Sequence, residues 1–239
     1  MPAPDRFVGH LQRRGYHPRS NRHGNALCQF VLEDLLDCCP LIAEHAAKSQ
    51  LVYELNRKIL VGTSDWNVDL ILGPPPAGLA RAEPTARVQR SQPATIRIAI
   101  EAKTIMTEHG KARRNRQRDL DSFHQFVHRY DSNAIAASLT VVNIAPRFRS
   151  PLRPEISAHR KVTELVGQTL GLLRSLPARS SRDEGAGLEA NGAIVVDHDN
   201  ITLDHTRLVS ASPAPQVGDP LHYDSFVRRI CDRYSQRWL

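Results

Sequence analysis

No stretch of the 239-residue chain approaches the eighteen or so consecutive apolar residues that cross a bilayer, so no membrane span is expected. Met1 to Gly15 is polar and lacks the apolar core of a signal peptide, which together with the first absence predicts a cytoplasmic protein. Cysteine is scarce. Cys28, Cys38, Cys39 and Cys231 contain no CxxC pair and three of them fall in one apolar helical stretch, so buried reduced thiols are expected rather than disulfides or zinc ligands. The histidines show no HExxH, and P-loop, GxGxxG and Ser-His-Asp arrangements are missing too, which removes support from NTPases, dinucleotide enzymes and acyl hydrolases. Acid is also short: 25 Asp and Glu stand against 32 Lys and Arg, a formal net charge of +7. That surplus favours polyanionic partners, nucleic acid before an anionic membrane, while a set of merely solvated arginines is the plainer account.

What is present is an ordinary globular composition and two strands that carry charge where a core strand should not. Ile96, Ile98, Ile100 and Ala102 alternate with Ala99, Glu101 and Lys103, so a carboxylate and an ammonium share one face of an apolar strand. Some thirty residues earlier Trp66, Val68, Leu70 and Leu72 alternate with Asn67, Asp69 and Ile71, which sets Asp69 among apolar neighbours. Buried charges are normally paired or bound to metal, because isolated ones cost several kcal/mol or more.

Asp69 followed by Glu101-Ala102-Lys103 resembles the PD-(D/E)xK nuclease superfamily, the restriction-endonuclease-like fold. The Pro that usually precedes the Asp is replaced by Val68. The order of expected elements agrees. A helix over 25–49, divided at Pro40 and capped at Asn25, carries Leu27, Val31, Leu35 and Cys38 on one face; strands follow at Leu51–Val61, at Asp69 and at Glu101. A helix over Lys111–Tyr130, a strand over Ala134–Ile144 and a helix over Glu155–Leu176 complete the run. The resemblance covers about residues 25 to 175 and implies an α/β fold with an αβββαβ core, a central mixed sheet flanked by helices, and a small C-terminal appendage.

The expected domains are a nuclease-like unit over 1–176, a Ser-, Gly- and charge-rich linker over 177–192, and a hairpin and helix over 193–239 packed on the core. In that last part Ala193–Val196 pairs with Ile201–Leu203 about a turn at Asp197-His198-Asp199-Asn200. Those aspartates and histidines invite a metal reading, but turn chemistry explains the cluster more simply. The final arginines, Arg207, Arg228, Arg229, Arg233 and Arg237, leave three roles open: packing, DNA recognition or holding a partner. The Pro-rich segment 74–93 reads as an exposed loop whose Arg81, Arg87 and Arg90 either lie over DNA or are solvated. Residues 1–23 are either a basic arm or a short helix and a loop.

The resemblance implies that Asp69, Glu101 and the Ala102 carbonyl hold Mg²⁺, with Mn²⁺ as a substitute, and that Lys103 assists the attacking water. Glu33 in the first helix is a further candidate for the metal against a solvated charge, and Asn67 for an outer contact. Lys111, Arg113, Arg114, Arg116 and Arg118, with Gln117 or Asn115, make a basic helix start directly after the Glu101 strand. Cations there oppose the helix dipole, so phosphates are their expected partners. The implied activity is hydrolysis of DNA phosphodiesters in restriction or phage defence, with RNA as another substrate and a homodimer or a defence-system partner subunit as company. The alternatives are a silent relative that only binds nucleic acid or protein, and a structural Glu101–Lys103 ion pair in an unrelated α/β protein.

Overall fold

The computed structural model describes residues 1–79, 86–107 and 109–239. The apolar run Ile135–Asn143 is buried along its whole length, as suits a strand covered on both faces. In chain order the strands are β1 Val52–Val61, β2 Ser64–Gly73, β3 Gln89–Arg90, β4 Ile98–Ile105, β5 Ile135–Asn143, β6 Arg147–Arg149, β7 Ile156–Ala158, β8 Ala190–Asp197 and β9 Arg207–Leu208. The helices are α1 Ala3–Arg14, α2 Arg22–Cys38, α3 Pro40–Ala47, α4 His109–Tyr130, α5 Val162–Arg174 and α6 Tyr223–Trp238. A seven-stranded mixed sheet runs β3-β1-β2-β4-β5-β8-β9, and β6 with β7 forms a separate small ladder. β4, β5 and β8 are parallel, whereas β2 is antiparallel to both β1 and β4.

Period-two alternation sorts the sheet between two helical layers. Leu72, Ile98, Ile100, Leu139 and Val141 face α1, α2, α3 and α6, where Phe7, Leu11, Leu35, Ile42, Phe226 and Ile230 meet them. Ile71, Ala99, Ala136 and Val195 face α4 and α5, against Leu120, Phe123, Val127, Leu170 and Leu173. The chain is therefore α/β, with a mixed sheet between helices.

Of the two readings of residues 1–23, the short helix and loop is the one found, and the helix is packed: Ala3, Phe7 and Leu11 of α1 are fully buried. Other expectations are corrected. Pro40 does divide the first helical stretch, since it opens α3, but Asn21 rather than Asn25 precedes α2. Residues 156–158 pair with 147–149 instead of joining a helix, and α5 starts only after Lys161, which has φ +56°. The segment expected as a linker is packed at both ends, where Arg179 and Glu189 are buried and Leu188 bridges to Ala178, while residues 180–186 between them are exposed. β8 is an inner strand, and its antiparallel neighbour is Arg207–Leu208 rather than Ile201–Leu203. The C-terminal residues thus complete the sheet and one helical layer. The Asp199 carboxylate accepts the Ile201 and Thr202 N–H groups at 2.7 and 2.8 Å, the turn chemistry expected there. In the Pro-rich segment Arg87 pairs with Asp37 at 2.7 Å and Arg90 lies exposed in β3, while Arg81 falls outside the described residues. Among the described residues no helix is long and apolar enough to cross a membrane.

The cysteines also differ from expectation. Cys39 and Cys231, with Cα atoms 5.3 Å apart, form a disulfide between the α2–α3 junction and α6; Cys28 is buried and free, and Cys38 is exposed and free. Their 192-residue separation explains why spacing rules say nothing of this pair. Protein purified without reductant is expected to show two reactive thiols when denatured and four after reduction, by thiol titration. Four before reduction would remove the bond.

Candidate active site at the β2–β4 fork

β2 and β4 pair only where Leu70, Ile71 and Leu72 meet Ile100, Ala99 and Ile98. Beyond Leu70, β2 stays with β1 and β4 continues with β5 as far as Ile105, so the two strands diverge. Asp69 is the next residue at this fork. Its Oδ2 accepts the Ala102 N–H at 2.8 Å, supplying a partner for a backbone donor where the ladder between the strands has stopped. Across β1 the ladder skips Asn56 and Asp69, between the pairs Leu55–Leu70 and Arg57–Val68. Asn56 has φ +54°, a left-handed conformation that Asn tolerates better than most side chains. Strict alternation breaks here: Val68 packs in the α4 layer and Leu70 in the α2 layer.

Glu101, on the same face of β4 as Ala99, is 1% exposed. One carboxylate oxygen, Oε1, is ion-paired with Lys103 Nζ, and the other, Oε2, is buried without a hydrogen-bond partner. Burial first, and the Asp69 carboxylate second, push the Glu101 carboxyl up to about 7 against the opposing pull of Lys103 and a weaker one from the Trp66 indole N–H. Burial raises Asp69 as well, opposed by Lys103, by the Ala102 N–H and by Arg116. The buried Cys28 thiol of α2 is driven well up by burial and then by these two carboxylates.

A cleft of about 220 Å³ opens beside this group, lined by Asp69, Ala102, Lys103, Asn56, Tyr16 and Arg116 among others, while Glu101 is buried behind it and is not part of the lining. Tyr16 Oη and Thr104 Oγ1 are 2.6 Å apart, which ties the α1–α2 connection to β4. His23, also in the wall, accepts the His17 N–H at Nε2 (3.0 Å) and lies 3.1 Å from His10 Nε2 through Nδ1. Burial and the neighbouring histidines lower it to about 4, so at neutral pH it is an uncharged wall.

The fork brings Asp69, Glu101, Ala102 and Lys103 together, and Arg116 joins them from α4 while also pairing with Asp119 at 2.7 Å. Other candidates lie apart. Glu33 is half exposed and ion-paired with Arg6, because α2 turns Cys28 rather than Glu33 toward the carboxylates. Asn67 is exposed opposite Lys58 of β1 and does not line the cleft. Lys111, Arg114, Asn115 and Arg118 are exposed along α4, Arg113 donates to Gln168 of α5, and Gln117 is half-buried outside the cleft. Sequence reasoning missed Tyr16, His23 and Asn56, which come from segments with no motif of their own, and Thr104, which follows Lys103 in β4.

Among the described residues no group of three or more His, Cys, Asp or Glu stands ready for a metal. The donors at the fork are two carboxylates and main-chain oxygen, hard ligands of the kind Mg²⁺ takes along with water. The orphaned Glu101 Oε2 is the observation that fits a cation, since a buried acceptor without a partner is costly. A carboxyl whose folded pKa is raised binds protons more tightly folded than unfolded. Metal-free protein should therefore lose stability as pH rises from about 4.5 to about 7. Glu101→Gln should remove most of that fall in melting curves recorded from pH 4.5 to 8, and an identical fall in both proteins would reject the assignment.

Compared with family models, with curated proteins and with solved structures, the chain has no match.

Proposed function

We propose that the chain is a Mg²⁺-dependent endonuclease that hydrolyses DNA phosphodiester bonds, of the restriction or phage-defence kind. The observation that carries this reading is the buried Glu101 carboxylate, half unpartnered, beside Asp69 and Lys103 where two strands fork. A structural Glu101–Lys103 ion pair has no need of a second carboxylate at the same fork, and a binding surface has no need of a buried one. The resemblance to PD-(D/E)xK nucleases adds support through the order of elements, a helical layer, the β1–β2–β4 strands, α4, β5 and α5.

Asp69 and Glu101, with the Ala102 carbonyl, would hold the cation. When bound, Mg²⁺ supplies the Lewis acid that offsets charge developing on the phosphate. Lys103, one residue beyond Ala102 and mostly buried, orients the attacking water and stabilises the anionic transition state. Asp69 fixes the Ala102 peptide, so the backbone of the Glu-x-Lys segment is held while the side chains act. Arg116 places a positive charge at the cleft for a phosphate oxygen.

The exposed cations of α4 extend this surface. Arg114 and Arg118 are four residues apart on one helix face. Replacing both by Ala should weaken DNA binding for every sequence tested and reduce the slope of log affinity against log salt by about two. Parallel salt lines for wild type and variant would move the DNA off this helix. The activity itself is tested by incubating supercoiled plasmid and a structured RNA with the protein in Mg²⁺ or in EDTA. Nicked or linear plasmid in Mg²⁺ alone is expected, and both substrates intact in Mg²⁺ would reject the reading.

A further inference from the structure

Between the segment that follows α5 and one face of α6 lies a pocket of about 360 Å³ that shares no lining residue with the Asp69 cleft. Arg174, Arg179, Arg229 and Arg233 all line it, against one carboxylate, Glu189. That carboxylate is already engaged: Oε1 accepts from Arg237 at 2.7 Å and Oε2 accepts the Ala136 N–H at 2.8 Å. Two of the four arginines are engaged as well. Arg174 is bound to Asp219 at 2.6 Å, and Arg179, 3% exposed, donates to the Ser132 and Ser181 carbonyls and to His128.

Arg229 and Arg233 differ. Four residues apart on α6, they point the same way. Among the described residues the Arg229 side chain has no hydrogen bond or ion pair, and the Arg233 side chain reaches only Gln236, through Nη1, while its Nε is buried without an acceptor. A buried donor without a partner implies an acceptor from outside, and two adjacent guanidinium forks match the oxygens of a phosphate group. Leu173, Leu176, Leu188, Pro220 and Leu221 supply apolar wall for an organic part. We propose that this pocket binds a phosphate monoester or diphosphate, clamped by Arg229 and Arg233, with the buried Arg179 as a fixed positive floor. The same chemistry is offered by a free nucleotide and by the 5′-phosphate end of a nucleic-acid strand.

The test is calorimetric titration of the full chain with pyrophosphate, with AMP, and with a short single strand bearing either a 5′-phosphate or a 5′-hydroxyl. Wild type should bind pyrophosphate saturably, and Arg229→Ala with Arg233→Ala should weaken it at least about tenfold, as loss of charge-assisted hydrogen bonds implies. Arg229→Ala alone removes no bond within the protein and should still weaken binding severalfold. Glu101→Ala should bind pyrophosphate as wild type does, which keeps this site independent of the nuclease reading. AMP binding as tight as the phosphorylated strand assigns a free nucleotide, and a preference for the phosphorylated over the hydroxyl strand assigns a strand end. No saturable pyrophosphate binding, or equal affinity in wild type and Arg229→Ala, overturns the proposal.

Discussion

Glu101→Ala and Lys103→Ala are each expected to slow plasmid cleavage by about a thousandfold while leaving DNA affinity within about twofold of wild type. The asymmetry follows from where each group sits. Glu101 is 1% exposed and Lys103 is ion-paired to it, so neither offers much surface to a phosphate backbone. On the proposed reading affinity rests instead on the exposed arginines of α4, each of which would supply one replaceable phosphate contact. Removing Glu101 withdraws the oxygen that has no partner within the protein; removing Lys103 withdraws the ammonium poised beside it. Single-turnover cleavage and equilibrium binding, measured on the same preparations, separate the two effects. Cleavage within threefold of wild type in either variant would contradict the assigned roles, and a parallel collapse of affinity would point to a binding surface.

Glu189→Ala should produce the largest loss of stability, about 3–5 kcal/mol, or of order 10 °C in melting temperature. Glu189 is fully buried among Arg237, Arg179 and His128, at 2.7, 3.4 and 3.4 Å. Without it two guanidinium groups that are themselves almost wholly covered lose their counter-charge, and the Ala136 N–H loses its acceptor. Burial alone would raise this carboxyl, but His128 and Arg237 outweigh burial and hold it below its usual range. A depressed folded pKa means that the stabilisation is present above about pH 4.5 and is lost as pH falls through the folded value. Glu189→Ala should therefore flatten the acid limb of the stability curve as well as lower its plateau, as chemical denaturation between pH 3 and 7 would register. A variant with wild-type stability at pH 7 would show that the cluster does not hold the start of β8 against β5.

Much of the sheet was legible because its strands are written in local pattern. The β1–β2 hairpin, β4, β5 and the long α4 follow from alternation, apolar runs and helical periodicity, and the charged residues of β4 marked the site against that background. Asp69 was legible for the same reason, as a carboxylate in an apolar strand. What escaped depends on contacts distant in sequence. The Cys39–Cys231 bond spans 192 residues, and β8 has only a brief apolar run whose place in the sheet is set by pairing with β5. Arg179 and Glu189 read as linker charges because nothing local reveals that each is the other's counter-ion. Glu33 stays a surface charge, the plainer of its two readings, because α2 presents Cys28 to the carboxylates, and the left-handed Asn56 breaks the alternation that would have put Asn67 beside Asp69. Tyr16 and His23 reach the cleft only because α1 docks on α2 and carries their connection over β4.

The measurement closest to the central claim is Mn²⁺ binding followed by electron paramagnetic resonance, on wild type and on Asp69→Ala, at pH 8, above the raised Glu101 value of about 7. The fork account predicts a saturable site in wild type that is lost or weakened at least about tenfold in the variant, with Mg²⁺ competing for it. Equal binding by the two proteins, or no saturable site in wild type, would contradict it.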